Sequence, residues 1–391
     1  MRLLVLASRF PYPLEKGDKL RLYHQLRELA RHHEVILCCL TDKPVSPDAL
    51  AQVKPFCSHI SVIPLHKGWQ AWGVLSSFFK GEPLQLGYFH SPKAFHALSR
   101  LIRDFSPDHI FCQLVRMAPY AAQLSVPVTI DFMDAFSAGM HRRALKAPWW
   151  LKPLFFWESK ALARAENRYL RQFSRHCIIS GQDRDCLPSV PGKPIAVVPN
   201  GVDTGFFAFE RHPAPVFDVA FVGNLGYFPN RQAALTLIHE VMPRVWANRP
   251  EARVLLAGAR PAPELRALAA DPRISVPGWV PDIRQAYLSA SVMAAPLFTG
   301  SGQQNKILEA MALGVPCITT QLVNNALHAT AGQHLLVAED AAGFADGILD
   351  LLTHPGRAET IRHAARDWVQ NTYSWQASVA ALEPLFAHPN P

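Results

Sequence analysis

The sequence predicts an α/β protein built from two Rossmann-like, doubly wound parallel-sheet domains. Three observations carry that prediction. At 391 residues the chain is too long for one core of ordinary size. Short apolar runs alternate with helical periodicity through both halves. A Pro/Gly-containing break at residues 189–194 separates one alternating series from the next. The expected boundaries are residues 1–190 for a first domain, 191–365 for a second, and 366–391 for a C-terminal helix that packs back on the first. A composition of 49% hydrophobic and 18% charged residues, without repeats or low-complexity runs, is that of a globular chain.

The first βαβ unit comprises a strand at residues 3–7, a helix over 20–30 and a strand at 34–40. Its connecting loop, RFPYPLEKGDKLR, sets Lys16, Gly17, Asp18, Lys19 and Arg21 at the carboxyl end of the strand, where open α/β sheets take ligands. The loop lacks G-x-G-x-x-G, so no dinucleotide fingerprint is present, and Asp18 either faces a ligand or caps the helix. Ser46–Pro47 and Ser91–Pro92 mark helix starts. Further strands are expected at 59–64, 109–113, 128–131 and 177–180.

Two insertions, residues 69–89 and 142–156, mix aromatics with Lys and Arg. Aromatics in helices inside a domain are more often core. Trp149, Trp150, Phe155 and Phe156, however, crowd around Pro148 and Pro153 amid Arg142, Arg143, Lys146 and Lys152, a composition of interfacial membrane segments. Residues 1–190 hold 25 Lys and Arg against 15 Asp and Glu, a balance of +10, whereas residues 191–391 hold 14 against 16, or −2. The basic half points to an anionic partner. The opening MRLLVLAS is too short for a signal sequence and reads as a first buried strand. The seven cysteines are scattered without a CxxC pair, as in reduced core thiols. The expected location is the cytoplasm, with peripheral contact to the inner membrane face.

The second half opens with a strand at 195–198 followed by PNGVD. Strand and helix then alternate at 218–222 with 230–246, 253–257 with 264–269, and 274–276 with 282–289. A strand at 291–295 leads to Gly300, Ser301 and Gly302, which break the pattern. Ile307, Leu308, Met311 and Ala312 recur at helical spacing until Gly314. The loop therefore opens onto a helix N-terminus, which suits a phosphate. Asn305, Lys306 and Glu309 can share one flank of this helix while Leu308 and Met311 face the core. The plainer alternative is a surface helix carrying a Lys306–Glu309 ion pair. Residues 317–320 form a last strand, followed by a helix through 343–352 and a helical stretch over 357–386 broken near 373–374.

Taken in order, the P-x-P-x-x-K-G-D segment, VPNGVD, FVGNLGYFPN, LLAG, VPGWVPD, NKILEAMALGVPCITT and a terminal YSW resemble the GT-B glycosyltransferases of family 4. The nearest likeness is to the sugar transferases found with PEP-CTERM/exopolysaccharide loci. The resemblance implies two Rossmann-like domains facing across a cleft and a retaining transfer from a nucleotide sugar to a saccharide or lipid-linked acceptor. By position it implies that Glu309 holds the donor ribose. The N–H groups around Gly302 and Gln303, with Lys306 beside them, would face the diphosphate, Val280 would meet the base, and Gly17 would approach the diphosphate from the first domain. Asn200, Gly223, Asn224 and Asn305 fall in the same motifs as donor-side contacts. Asp18 and Asp134 lie on the first-domain side. Asp131 and Asp134, in IDFMDAF, either orient an acceptor hydroxyl or serve as a cap or loop hydrogen bond.

Two positions depart from the family. Ser301 stands where many relatives carry a glutamate, and Asn224, with Arg231 further on, stands where many carry an arginine and a lysine. The catalytic residues expected are thus Lys306, Glu309 and Arg231, the cations acting on the leaving group. No metal or other cofactor is required by this arrangement, and neither a DxD motif nor a His/Cys cluster with ligand spacing is present. An anionic membrane surface, met through residues 142–156, is the expected macroscopic partner. No nucleic-acid-binding signature appears. The competing functions are a GT-B nucleotide-sugar epimerase and a non-catalytic membrane- or nucleic-acid-binding module.

Overall fold

A computed structural model of the chain describes residues 1–208, 214–299 and 303–387. The chain separates into two compact units, Met1–Pro199 with Ser378–Pro391, and Asn200–Ala377. The first boundary falls later than the 189–194 break because residues just past that break still belong to the first sheet. The C-terminal region changes unit at Ser378 rather than at 366. In the first unit Glu383 accepts from His32, Thr129 donates to the Leu385 carbonyl, and the Phe386 ring packs against His109 and Phe111.

The first unit is a seven-stranded sheet of β1 (Arg2–Ala7), β2 (Glu34–Thr41), β3 (His59–Pro64), β4 (His109–Gln113), β5 (Val128–Asp131), β6 (Arg175–Ile178) and β7 (Ile195–Val197). The strands pair in parallel in the order β3-β2-β1-β4-β5-β6-β7. Leu3 through Ala7 are wholly buried, as expected of a parallel strand covered on both faces. Strand order reverses between β1 and β4, and a crevice opens at the carboxyl ends on either side of such a reversal.

An ion pair in the core holds that end of the sheet. Arg21, in the helix Gly17–Leu29, donates from Nε to Asp131 Oδ2 at 2.7 Å and from Nη2 to the Val198 carbonyl at 2.9 Å, and both charged side chains are fully buried. The other Asp131 oxygen accepts the Met133 N–H at 2.9 Å, fixing the turn in which Met133 takes a positive φ of 59°. Asp131 is therefore the loop-bonding residue of the two readings its position allows. Asp18 is not a cap: the N-cap position is Lys16, without a side-chain bond, and Asp18 pairs with Arg9 at 2.5 Å.

The second unit is a six-stranded sheet of β8 (Phe217–Val222), β9 (Val254–Ala257), β10 (Ile274–Gly278), β11 (Ala290–Ala295), β12 (Cys317–Thr319) and β13 (Leu336–Val337). It is also parallel, in the order β10-β9-β8-β11-β12-β13, and reverses between β8 and β11. Together with their flanking helices, the two sheets give the predicted α/β fold of two doubly wound domains. The helix expected at 230–246 is interrupted, running Phe228–Thr236, a π-helical turn Leu237–Val241, and Met242–Asn248. Gly201 of the NGVD motif has a local reason: a Cβ there would lie 2.6 Å from backbone atoms of the buried Trp375 of the YSW motif.

Candidate functional site

In the second unit the site is assembled where β8, β9 and β11 end. Gly258, the glycine of LLAG, has a φ of 141°, and a Cβ on it would overlap the Gly223 carbonyl. The two chain ends are thus in backbone contact, which only glycine permits at that position. Gly223 in turn leaves room for a cation: its Cβ would meet Lys306 Cε and Asn230 Nδ2, each at 3.1 Å.

Lys306 lies on the helix Asn305–Ala312. Ile307, Leu308, Ala310 and Met311 are buried and pin this helix against the core. It ends on Gly314, whose φ of 72° accompanies bonds from Gly314 N to the Met311 carbonyl (3.0 Å) and from Val315 N to the Ala310 carbonyl (2.8 Å). This is the closing pattern that glycine makes accessible.

Neither Lys306 nor Glu309 behaves as a solvated surface residue. Both are partly buried, and among the described residues no ion pair joins them. Lys306 Nζ donates to Gln304 Oε1 at 2.7 Å. Burial lowers its pKa to about 8, against the opposing pull of the Glu309 charge. Glu309 Oε2 accepts the hydroxyl of buried Tyr287 at 2.7 Å, and burial raises the Glu309 pKa against the stabilising effects of Tyr287 and Lys306. The second oxygen of Glu309 has no donor among the described residues. Asn305 Oδ1, on the same flank, is buried and likewise without a donor among them.

Gln303 makes a two-point contact with the backbone of Asn200: its Oε1 accepts the Asn200 N–H at 2.8 Å and its Nε2 donates to the Asn200 carbonyl at 2.7 Å. Asn224 is exposed and accepts the Gly226 N–H at 3.1 Å, while buried Asn230 donates to its carbonyl at 3.0 Å. Arg231 leans on Glu264 at 3.2 Å and over the Phe228 ring at 5.5 Å, so its charge already has a carboxylate partner. Val280 packs against the core beside the exposed Trp279. Ser301 and Gly302, with Gly300, lie outside the described residues.

In the first unit a second group of polar residues follows β1, β4, β5 and β6. Gly17 is exposed, with open space where a Cβ would stand. The Asp18 carbonyl accepts Gln113 Nε2 at 2.9 Å. Arg116 stacks over Phe89 and Phe136 at 5.2 and 4.8 Å and donates to Gln85 at 2.7 Å. Burial first, then the nearby Arg9 charge, lowers its pKa to about 10, so it stays cationic at neutral pH. The Asp134 pKa is raised to about 6, first by loss of hydration and then by the Asp183 carboxylate. Asp183 is buried and accepts the Ser180 hydroxyl at 2.6 Å. Among the described residues no group of His, Cys, Asp and Glu is arranged to hold a metal ion.

Sequence reasoning missed Tyr287, Gln304, Arg9, Arg116 and Asp183. A polar residue just after a predicted strand was the only available signal, and only Arg9, Arg116 and Asp183 carry it. Of the aromatics in residues 142–156, Trp149 and Trp150 are 82% and 62% exposed. Phe155 and Phe156 instead tuck against Arg143 (4.6 Å) and His141 (5.3 Å), so they brace the loop rather than present it.

The fold is GT-B. A sucrose-phosphate synthase from Thermosynechococcus elongatus superimposes with a TM-score of 0.68 at 16% identity, covering 99% of this chain and 98% of that one. Anabaena HepE in complex with UDP matches with a TM-score of 0.67 at 15% identity, covering 98% and 99%. A glycosyltransferase from Rickettsia africae gives 0.67 at 11% identity, covering 98% and 97%. Likenesses at these identities speak to the fold alone. The family comes from the sequence: residues 20–206 match the model described as Glycosyltransferase Family 4, and residues 216–354 match Glycosyl transferases group 1. With that fold, the two matches make the chain a GT-B glycosyltransferase of the family 4/group 1 kind. A phosphatidyl-myo-inositol mannosyltransferase of Mycolicibacterium smegmatis is 27% identical over 171 residues, 41% of this chain; the match spans 44% of that protein, less than half its length.

Proposed function

We propose that the chain moves a sugar from a nucleotide-sugar donor, with retention of anomeric configuration, onto a saccharide or lipid-linked acceptor. The setting is exopolysaccharide or cell-envelope glycan synthesis, of the kind found with PEP-CTERM loci, at an anionic membrane surface met through residues 142–156. The observation that carries the reading is the pairing of roles on one short helix. Lys306 is a desolvated cation beside Gly223, and Glu309 is a carboxylate aimed by Tyr287.

In this reading the free oxygen of Glu309 takes the ribose hydroxyls, and Lys306 neutralises charge developing on the leaving diphosphate. The side chain of Gln303 is engaged with Asn200. The phosphates are assigned to the N–H groups around Gly302 and Gln303. Gly17, Gly223, Asn224 and Asn305 line the donor and Val280 meets the base. Ser301 replaces a carboxylate at the sugar, and Arg231 is a weaker second cation. Asp18 and Asp134 serve the acceptor, Asp134 being the better placed to receive a proton near neutral pH because its pKa is raised. The nucleotide sugar is a substrate, and the mechanism needs no metal.

HepE has been solved with UDP and with UDP-glucose, which makes uridine nucleotides the first to test. The matching sugar nucleotide among UDP-, GDP-, ADP- and dTDP-sugars should raise the melting point, since ligand at 100 times its Kd adds about 2.7 kcal/mol. With that donor, product should form only when an acceptor is supplied. Conversion of the sugar nucleotide alone would favour the epimerase and sink the transferase reading.

Glu309→Gln separates a ribose contact from a structural one, because the amide oxygen still accepts from Tyr287. The charged hydrogen bonds it loses are worth about 1.5–3 kcal/mol, so donor Kd should rise about 10- to 150-fold. Tyr287→Phe, which removes only the orienting bond, should cost about tenfold or less. Unchanged donor affinity in Glu309→Gln, measured by calorimetry, would remove the ribose assignment.

A further inference from the structure

The helix Lys67–Lys80 is inside out. Its buried stripe is Gln70, Gly73 and Ser77, while Trp69, Trp72, Leu75, Phe78 and Phe79 face solvent, Trp72 at 59% and Phe79 at 78% exposure. A helix that packs on a domain buries its apolar stripe and exposes its polar one. Here the inward side is polar enough that Gln70 Nε2 is buried without a partner among the described residues. The inward side is held by backbone contact instead. A Cβ on Gly73 would lie 2.1 Å from the Gly87 carbonyl oxygen, and one on Gly87 would lie 2.3 Å from that of Gly73. A close glycine crossing, made with the helix Leu84–Tyr88, fastens the helix while leaving its large side chains outward.

Beside this crossing lies a cavity of about 370 Å³, lined by Trp72, Ser76, Ser77, Lys80, His90 and Arg168 among others. Arg168 is committed, making paired bonds to Glu82 of 2.7 and 2.6 Å. Lys80 makes no ion pair within contact distance among the described residues, though its charge also bears on Glu82 in the same cavity. Burial first, and then the Lys80 charge, lowers the His90 pKa, and Lys80 itself lines the cavity. The cavity thus combines the Lys80 ammonium, the Arg168 guanidinium with the Glu82 carboxylate it holds, the hydroxyls of Ser76, Ser77 and Tyr169, and the His90 imidazole, with an indole at its edge; one positive charge is left over once Glu82 offsets Arg168.

We propose that the cavity takes the phosphate of an anionic phospholipid headgroup while Trp69, Trp72, Leu75 and Phe79 enter the acyl boundary. The occupant is a membrane rather than a protein because lysines bracket the apolar face, Lys67 at one end of the helix and Lys80 at the other, within a half of the chain carrying +10. The neighbouring Trp149–Trp150 loop is joined to this surface through the helix Lys152–Gln172, whose Trp157 ring lies 5.2 Å from Phe78. The proposal rests on the peripheral-membrane part of the function above but uses different residues.

The test is co-sedimentation of the full chain with phosphatidylcholine vesicles, with and without phosphatidylglycerol. Trp72→Ser/Phe79→Ser should bind both kinds about tenfold or more weakly; if that variant does not fold, Phe79→Asp, at the most exposed aromatic of this helix, takes its place. Lys80→Ala should lose roughly fivefold on the anionic vesicles only. Undiminished binding by the folded aromatic variant, or undiminished anionic preference in Lys80→Ala, overturns the proposal. Soluble glycerol phosphate should raise the melting point of the wild type and not of Lys80→Ala. Equal stabilisation by inorganic phosphate, with vesicle binding indifferent to Lys80, would make the cavity a free-phosphate site and overturn the lipid assignment. A lipid-free dimer dissociated by Phe79→Asp would assign the face to a second copy of the chain and overturn it too. Release by Trp149→Ser/Trp150→Ser with full binding by the helix variant overturns this site yet keeps membrane attachment, whereas a wild type that ignores both vesicles overturns both.

Discussion

Lys306→Met should fold, keep most of its donor affinity and lose about 10²–10³ in kcat, the usual cost of removing one positioned group that meets developing charge. Methionine replaces the stem that passes within contact of Gly223 and removes only the ammonium. The pKa lowered to about 8 sets the pH dependence. Above that value the ammonium deprotonates, so wild-type kcat should fall with a midpoint near pH 8, and that alkaline limb should vanish in Lys306→Met. The stability sign is opposite. A lysine whose pKa is lower folded than unfolded binds fewer protons in the folded state between about pH 8 and 10.5, so its contribution to stability improves as pH rises through that window. Below pH 8 it carries a constant burial penalty, and Lys306→Met should be no less stable than wild type at neutral pH. Steady-state kinetics with saturating donor, beside thermal melts, decide the matter. Wild-type turnover in the variant, or an alkaline limb that survives the substitution, would take Lys306 out of the chemistry.

What made Lys306 and Glu309 visible in advance was spacing: three residues apart on a helix after a glycine-containing loop. What spacing could not supply was their surroundings. Tyr287 is 22 residues away from Glu309, and its hydroxyl becomes a partner only when the chain after β10 folds under the helix Asn305–Ala312. The same limit explains Gly223 and Gly258. Both stood out as motif glycines, but their reason, a backbone contact between the ends of β8 and β9, exists only once those strands pair. Strands β1, β2 and β4 were legible because parallel strands covered on both faces are continuous apolar runs. β13 and the helix Gln321–Leu327 were missed, since two residues carry no period and seven make barely two turns. In the helix Lys67–Lys80 the aromatics were evident from composition. Which face they occupy was not, because a helical pattern shows that two faces differ and leaves open which one is buried.

Asp131→Ala should destabilise the protein by about 3–5 kcal/mol, the range for breaking a buried charge pair from one side. The residue was legible only as a carboxylate after a strand, yet it joins elements 110 residues apart in the chain. Its removal takes away the carboxylate that Arg21 Nε is bonded to in the core and frees the Met133 N–H from the bond that holds the turn leading to Asp134. Arg21→Met should cost a similar amount, for the opposite reason, because a buried carboxylate is then left without its cation. The double variant Arg21→Met/Asp131→Leu discriminates between charge and packing. If the single losses come chiefly from an unpaired charge, the double should recover much of either one, giving a coupling of about 1 kcal/mol or more between two sites in contact. If the two side chains act independently, the losses should instead add. Urea unfolding of the four proteins supplies the cycle, and losses below about 1 kcal/mol in both single variants would place this pair among those whose charges solvent already screens. Because Asp131 also sets the Met133 turn, the double variant should keep its stability better than its activity, as its repaired core lacks the acceptor that positions Asp134.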